Sequence, residues 1–237
     1  QLDPQKLEGL CCAGELGLDG SLRPCRGILA IACQAKTQQA KAFVVPSANA
    51  AEASLVAGLP IVSAQTLGQL VEQLRHGIEH NSCPQPTREQ PAMTTSPSSA
   101  SAPSSAAPLT IQHFARKALA IAAAGGHHLL MVGPPGCGKT MLARQLPKIL
   151  PPLSDSEALE LTRLQSIAGT LGNVTSLVRQ RPFRAPHHST TAAGLLGGGT
   201  NPRPGELSLA HGGVLFLDEL TEFPRSILDQ LRQPLEE

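Results

Sequence analysis

The chain has 237 residues, a formal net charge of +1 and 41% hydrophobic residues, which leaves room for one large or two small domains. That near-neutral balance argues neither for nor against an anionic partner. With no Trp, no Tyr and only five Phe, aromatic platforms for stacking single-stranded nucleic acid are nearly absent. No stretch reaches about 18 apolar residues, so neither a membrane-spanning helix nor a membrane partner is expected. No charged-then-apolar leader opens the chain. It begins at Gln1 rather than Met and stops inside a helical-looking run, 226–237, and is expected to be an internal piece of a longer protein. Six cysteines, at 11, 12, 25, 33, 83 and 137, show no C-x-x-C pair and no metal-ligand spacing. Free thiols in a reducing cytoplasm are the expectation.

Residues 10–80 alternate between strand and helix signals. Leu16-Gly17-Leu18, the turn Asp19-Gly20 and then Leu22 predict a short hairpin. A helix is expected over 27–41, then the strand Ala42-Phe43-Val44-Val45. Asn49 is expected to cap a helix running through Val56. Ile61-Val62 reads as a strand, and Thr66 as the cap of a helix ending near His76-Gly77. This is the pattern of a small α/β layer domain. Residues 81–108 hold six Pro, seven Ser and five Ala and too little apolar bulk for a core, so they read as a disordered linker. The expected division is therefore a domain over 1–80, a linker over 81–109 and a second domain over 110–237.

In the second domain Thr110 opens a helix to about Ala124, closed by Gly125-Gly126. His128-Leu129-Leu130-Met131-Val132 reads as one buried strand, and a helix is expected over 141–146 with Pro147 near its end. Another helix is expected from Asp155 to about Ile167. A long Gly/Pro-rich stretch then leads to the apolar run Val214-Leu215-Phe216-Leu217. Strands separated by long helical crossovers predict a parallel, doubly wound sheet, an α/β class of fold.

Between the expected strand and helix, residues 133–140 read Gly-Pro-Pro-Gly-Cys-Gly-Lys-Thr, a complete G-x-x-x-x-G-K-[ST] phosphate loop. Gly133, Gly136 and Gly138 let the backbone curl so that successive N–H groups face a β-phosphate. Pro134, Pro135 and Cys137 fill the variable positions, the cysteine as a small residue. Lys139 is placed to reach the β- and γ-phosphates, and the Thr140 hydroxyl to ligate Mg²⁺. Asp218 and Glu219 end the second apolar run. Carboxylates at the C-terminal end of a parallel strand lie beside the nucleotide in this fold class. Asp218 is expected to hold Mg²⁺, and Glu219 to orient and deprotonate the attacking water. ATP and Mg²⁺ are thus the expected cofactors.

Further motifs carry a family resemblance. They are Gly125-Gly126-His127-His128-Leu129, Arg181-Pro182-Phe183-Arg184-Ala185-Pro186-His187-His188, the run from Asn201-Pro202-Arg203-Pro204-Gly205-Glu206 to His211-Gly212-Gly213, and Leu231-Arg232-Gln233-Pro234-Leu235-Glu236. Over 10–80 and 110–237 the chain resembles the magnesium-chelatase-like AAA+ family. The resemblance implies a parallel-sheet ATPase domain, here truncated without its lid, working as a homo-hexameric ring. It implies a motor acting on DNA, branched or single-stranded, in branch migration during natural transformation. It also implies that the N-terminal domain is similar to the Lon protease catalytic fold. Within Gly20 to Ile31, Leu29 stands where that fold carries its catalytic lysine, and no serine motif is present, so the domain is expected to be architectural. Ile111 stands where the family usually has glycine, on the adenine side. The polar sensor, arginine finger and lid are expected beyond Glu237, so this piece alone is expected to bind ATP and hydrolyse it poorly.

Asp218 follows Lys139 by 79 positions, long for a minimal core. From Leu161 to Gly205 there is no Asp or Glu, while Arg163, Arg179, Arg181, Arg184 and Arg203 are cationic. Arg179, Arg181, Arg184 and Arg203 are therefore candidates for phosphate contacts in a central pore. The alternative is that the arginines pair with acids of a neighbouring subunit while His187 and His188 cap loop backbone. A chelatase-type motor that remodels a protein partner, a Lon-like peptidase and a nucleotide-binding assembly module remain as other functional readings. The linker assignment predicts that limited proteolysis of the protein cuts first within 81–108 and releases two folded pieces. Protection of that segment while cuts fall elsewhere would sink the division.

Overall fold

The computed structural model describes residues 4–76, 109–172, 176–200 and 202–236. Apart from Leu109, which begins a helix, the stretch read as a linker lies outside the described residues. Among the described residues, one compact unit comprises 4–76 with 158–172 and 176–178, and the other comprises 109–157 with 179–200 and 202–236.

The first unit is built on β1 (Leu10–Cys12), the hairpin β2 (Glu15–Leu16) and β3 (Leu22–Arg23), α1 (Ile28–Thr37), β4 (Ala42–Pro46), α2 (Ala50–Ala53), β5 (Ile61–Ala64) and α3 (Leu67–His76). β1, β4 and β5 form a parallel sheet with β4 at its centre, in the registers Leu10↔Ala42 and Phe43↔Ile61. All five β4 residues are buried, as the middle strand of a parallel sheet covered on both faces requires. Alternation along β4 divides the core. Phe43 and Val45 pack with Ile28, Leu29, Ala32 and Ala35 of α1, while Ala42 and Val44 pack with Val62 and Leu70 on the other face. Each large side chain removed from water here contributes about 1.5–3 kcal/mol.

Several expectations are met in this unit, and some are not. The hairpin forms around Asp19, whose carboxylate accepts from the Ser21 N–H at 3.1 Å and hydroxyl at 2.6 Å; these bonds hold its pKa below the ordinary value. Thr66 caps α3, its hydroxyl accepting from the Gln69 N–H at 3.2 Å. α1 ends at Thr37, four residues short of expectation, because Gln39 turns left-handed at φ 55° and Lys41 is drawn to the Gly9 carbonyl at 2.8 Å. Asn49 does not cap α2 with its side chain. Its amide instead clasps the Cys25 backbone, accepting from N–H and donating to C=O, each at 3.1 Å, and α2 stops at Ala53.

The later elements are α4 (Leu109–Gly125), α5 (Lys139–Ala143), α6 (Leu146–Ile149), α7 (Asp155–Ala168), β6 (Phe183–Arg184), α8 (Ala192–Leu196), β7 (Gly197–Gly198), β8 (Arg203–Pro204), α9 (Glu206–Leu209), β9 (Val214–Leu215) and α10 (Arg225–Glu236). α4 and α10 lie where the sequence puts them. The strand expected over 128–132 does not form. Leu129, Leu130 and Val132 are exposed, and among the described residues the run joins no sheet, the pairing an extended apolar run needs in order to be buried. The helix expected over 141–146 breaks at Arg144-Gln145. Pro147 sits in the first turn of α6 rather than at a helix end, where its missing N–H costs nothing. Among the described residues the parallel pairing of the second unit is confined to β6 with β9, so the doubly wound sheet is not formed there. The coarser class, mixed α/β with parallel strands, holds.

α7 starts with a reciprocal cap that the sequence reading passed over. The Ser154 N–H and hydroxyl both donate to Glu157 Oε2 at 2.7 Å, and the Glu157 N–H returns a bond at 3.3 Å, an S-x-x-E box. Past Glu157 the helix belongs to the first unit. Leu159 packs on the α1 core, and Ala158, Leu161 and Thr162 are buried. There the Glu52 carboxylate accepts from the Leu29 N–H at 3.0 Å, from the Asn49 amide at 3.3 Å and from the buried Ser166 hydroxyl. Glu52→Ala leaves three donors without their acceptor and is expected to cost about 1–3 kcal/mol, read as a lower urea midpoint for the first unit. An unchanged midpoint would show that water replaces the carboxylate at no cost.

Candidate functional site

In the loop 133–140 two of the three glycines take the left-handed backbone. Gly136 and Gly138 take φ 77° and 88°, values that side-chain-bearing residues rarely adopt. Gly138 is the residue before α5, so Lys139 and Thr140 open that helix. The Lys139 ammonium curls back on its own loop, donating to the carbonyls of Gly133 at 2.9 Å and Pro134 at 3.0 Å and lying 3.9 Å from Cys137 Sγ. The loop residues Gly133 to Cys137 are exposed.

β9 delivers the second half of the site. The Val214 N–H donates to the Pro182 carbonyl at 2.9 Å, and the Phe216 N–H to the Arg184 carbonyl at 2.8 Å, which carries the ladder one residue past the strand. Gly213 permits this close approach, since a Cβ there would collide with the Pro182 carbonyl. Phe183 and Phe216 stack at 5.9 Å, and the Arg144 guanidinium, just past α5, sits 5.7 Å from the Phe183 ring centre. Leu215 and Leu217 pack against Leu195, Ile227 and Leu231, which fixes the strand against α8 and α10. Asp218 is thereby brought to Thr140, whose hydroxyl donates to Asp218 Oδ2 at 3.3 Å across 78 positions of sequence. The two residues read as a Mg²⁺ pair are thus neighbours. A hydroxyl and a carboxylate are hard oxygen donors of the kind Mg²⁺ takes, so the residues present fit that ion.

Glu219 takes a left-handed backbone, φ 52° and ψ 52°. Its N–H donates to Asp218 Oδ1 at 3.1 Å, and its carboxylate lies 3.5 Å from His188 Nδ1. The sequence reading missed this last contact. Of the two histidines that the alternative reading has capping loop backbone, His187 does so, accepting from the Ser189 N–H at 3.2 Å. Nothing in the local pattern relates positions 188 and 219, because β6 and β9 pairing is what brings them together.

The four arginines read as a phosphate-contacting set separate into different environments. Arg179 pairs with Asp155 at 2.7 Å, both well exposed. Arg181, with 13% of its side chain exposed, donates to the Pro151 carbonyl at 2.6 Å and the Gly212 carbonyl at 2.5 Å, and lies 3.8 Å from Glu157. Arg184 grips Glu206 with two bonds, at 2.6 and 2.7 Å, and these bonds push its pKa up. Arg203 is exposed on β8. The acids that engage the first three, Asp155, Glu157 and Glu206, flank the acid-free window 161–205. The window itself therefore gave no warning of them.

A family model described as magnesium chelatase, subunit ChlI, matches residues 107–237, and one described as subunit ChlI of Mg-chelatase matches residues 1–49. The chain belongs to the magnesium chelatase ChlI family of AAA+ ATPases. Among curated relatives, an uncharacterised protein of Mycobacterium tuberculosis is 46% identical over 234 residues, covering 98% of this chain and 45% of that protein. Competence protein ComM of Haemophilus influenzae is 42% identical over 243 residues, covering 100% and 45%, and the uncharacterised protein YifB of Escherichia coli is 40% identical over 238 residues, covering 100% and 44%. The chain is a homologue of ComM and YifB and spans about 45% of the length of these relatives. Among the described residues no helix is long and apolar enough to cross a membrane.

The arginine geometry separates structural from available charge. Arg184→Ala leaves Glu206 unpartnered beside α8 and β7. Allowing for the 40% exposure of the Arg184 side chain, it should cost about 1 kcal/mol. Arg203→Ala should stay within about 0.5 kcal/mol of the parent. Urea midpoints of the two variants test this, and equal midpoints would contradict it.

Proposed function

We propose that this chain is the ATP-binding and ATP-hydrolysing part of a ComM-like AAA+ motor. In the full-length cytoplasmic protein it would form a homo-hexamer acting on branched or single-stranded DNA, in branch migration during transformation and recombination. The observation that carries the reading is the 3.3 Å approach of Thr140 Oγ1 to Asp218 Oδ2, next to a loop with glycines at both left-handed positions. In this reading Lys139 exchanges its bonds to the Gly133 and Pro134 carbonyls for the β- and γ-phosphate oxygens. The loop N–H groups hold the β-phosphate. Thr140 and Asp218 would hold Mg²⁺, which when bound would neutralise phosphate charge. Glu219 orients the attacking water and accepts its proton. Residues 110–157 and 179–237 then belong to a P-loop AAA+ domain, while 1–80 form a Lon-like domain with an architectural role, which 158–172 and 176–178 join as part of one compact unit. In that domain Leu29 is fully buried among Phe43, Val45 and the α1 apolar residues, an environment suited to packing rather than to a reactive side chain.

One observation favours a second reading, a chelatase-type motor that remodels a protein partner. Arg179, Arg181 and Arg184 already pair with acids inside the chain, which weakens the electrostatic case for nucleic acid and rests it mainly on exposed Arg203. ATPase of the full-length protein with and without branched DNA separates the readings. DNA stimulation is expected, falling as salt rises, whereas indifference to DNA hands the case to a protein partner. For the site itself, Lys139→Ala should weaken ATP binding at least about a hundredfold, because it removes the cation beside the phosphates. Glu219→Gln should keep binding and lose turnover, and near-parental hydrolysis in that variant would show that the base lies elsewhere.

A further inference from the structure

The backbone of Glu219 is left-handed, a state that a glutamate occupies at a cost and keeps only where its surroundings impose it. The Asp218 carboxylate binds its N–H at 3.1 Å, and its carbonyl accepts from the Glu222 N–H at 2.8 Å. Its side chain is 66% exposed, and a glutamate so exposed ordinarily samples many rotamers. Here Oε2 meets His188 Nδ1 at 3.5 Å, a separation of the kind that tightens when a catalytic complex assembles. The histidine is not a loose partner. Its ring lies 4.0 Å from the His187 ring and edge-on to Phe223 at 6.5 Å, and Phe223 is buried. His187 is held in turn by Ser189, through the hydroxyl at 2.8 Å and the N–H at 3.2 Å. A row of contacts therefore runs from Ser189 through two imidazoles to the carboxylate, anchored on a buried phenyl ring.

We infer that His188 is a positioning residue for Glu219, holding the carboxylate in one orientation so that the base is aimed before water and nucleotide arrive. The inference rests on the assignment of Glu219 as the base made above. A base already oriented forgoes the search among rotamers that would otherwise precede each proton transfer. His188 acts on the nucleotide only through Glu219. Its removal therefore falls on turnover and spares nucleotide affinity.

Steady-state ATPase of the full-length protein tests this. His188→Ala should lower kcat about tenfold while the KM for ATP stays within about twofold. His188→Asn presents an amide N–H near the place of Nδ1 and should return kcat to within about threefold of the parent. His188→Phe keeps a ring against His187 and Phe223 without the donor. It should track the alanine variant, and it carries the test if that variant fails to fold. On the residual rate of Glu219→Gln, adding His188→Ala should change nothing. Parental kcat in both His188→Ala and His188→Phe would overturn the inference. So would a loss that appears in KM and is not rescued by Asn, or losses that multiply in the Glu219→Gln background. Failure of the base assignment reads out separately, as near-parental turnover in Glu219→Gln alone.

Discussion

The pairing of β6 with β9 is the constraint on which the candidate site depends. It is only two residues deep, Phe183↔Val214 and Arg184↔Leu215, with one hydrogen bond beyond each end, at Val214 and Phe216. Short ladders are weak alone, and this one is reinforced from the sides. Phe183 stacks on Phe216 within it, Leu215 and Leu217 anchor it to the apolar faces of α8 and α10, and Arg144 spans from α5 to Phe183. Because Asp218 follows Leu217 without a break, the aim of the carboxylate pair is set by how that apolar cluster holds the strand. His188, four residues past Arg184, arrives beside Glu219 by the same pairing.

The charge distribution follows a similar logic. A stretch of 45 residues without an acid but with five arginines suggests a cationic surface when read as a window. In the folded second unit three of these charges, Arg179, Arg181 and Arg184, are met by acids just outside the window. Arg181 ties the 151 and 212 backbone segments together while facing Glu157, itself engaged in capping α7. Arg184 places its two parallel bonds on Glu206 at the start of α9. Fork-shaped guanidinium groups suit such work, since one side chain can satisfy several carbonyl or carboxylate oxygens at once. Net cationic character along a sequence is therefore a poor guide to cationic surface where helix starts nearby supply acids.

What was legible in the sequence was what local chemistry dictates. Asp19-Gly20 gave the hairpin, Thr66 gave the α3 cap, and the apolar run 42–45 gave the central strand, because each needs only its immediate neighbours. The turn within 133–140 was legible for the same reason, Gly136 and Gly138 answering to backbone φ alone. Elements that depend on distant partners were less so. β1 was missed because Leu10-Cys11-Cys12 carries no strand signature of its own and is a strand by pairing with β4. Asn49 was read as a cap from its place before Ala50, but the Cys25 backbone, 24 residues away, offered its amide two bonds where capping offered one. The run 128–132 shows the converse, since apolar character without a paired edge does not make a strand.

The same reasoning bears on what nucleotide binding has to overcome. In the loop as it stands, Lys139 already has two carbonyl acceptors, and the Thr140 hydroxyl already has Asp218. A nucleotide bound as proposed would therefore meet groups whose hydrogen bonds are satisfied, and exchanging a carbonyl for a phosphate oxygen would change the number of bonds little. What changes is charge. A carbonyl is neutral, and the ammonium gains substantially by facing an anionic phosphate oxygen, roughly doubling the strength of each bond. For Asp218 the sign is opposite, because a carboxylate beside phosphates is repelled unless a cation lies between them. If the site works as proposed, the geometry that brings Thr140 and Asp218 together would make metal and nucleotide mutually dependent ligands. Each would offset the electrostatic cost of the other, and that interdependence would follow from one aspartate placed just past a two-residue strand.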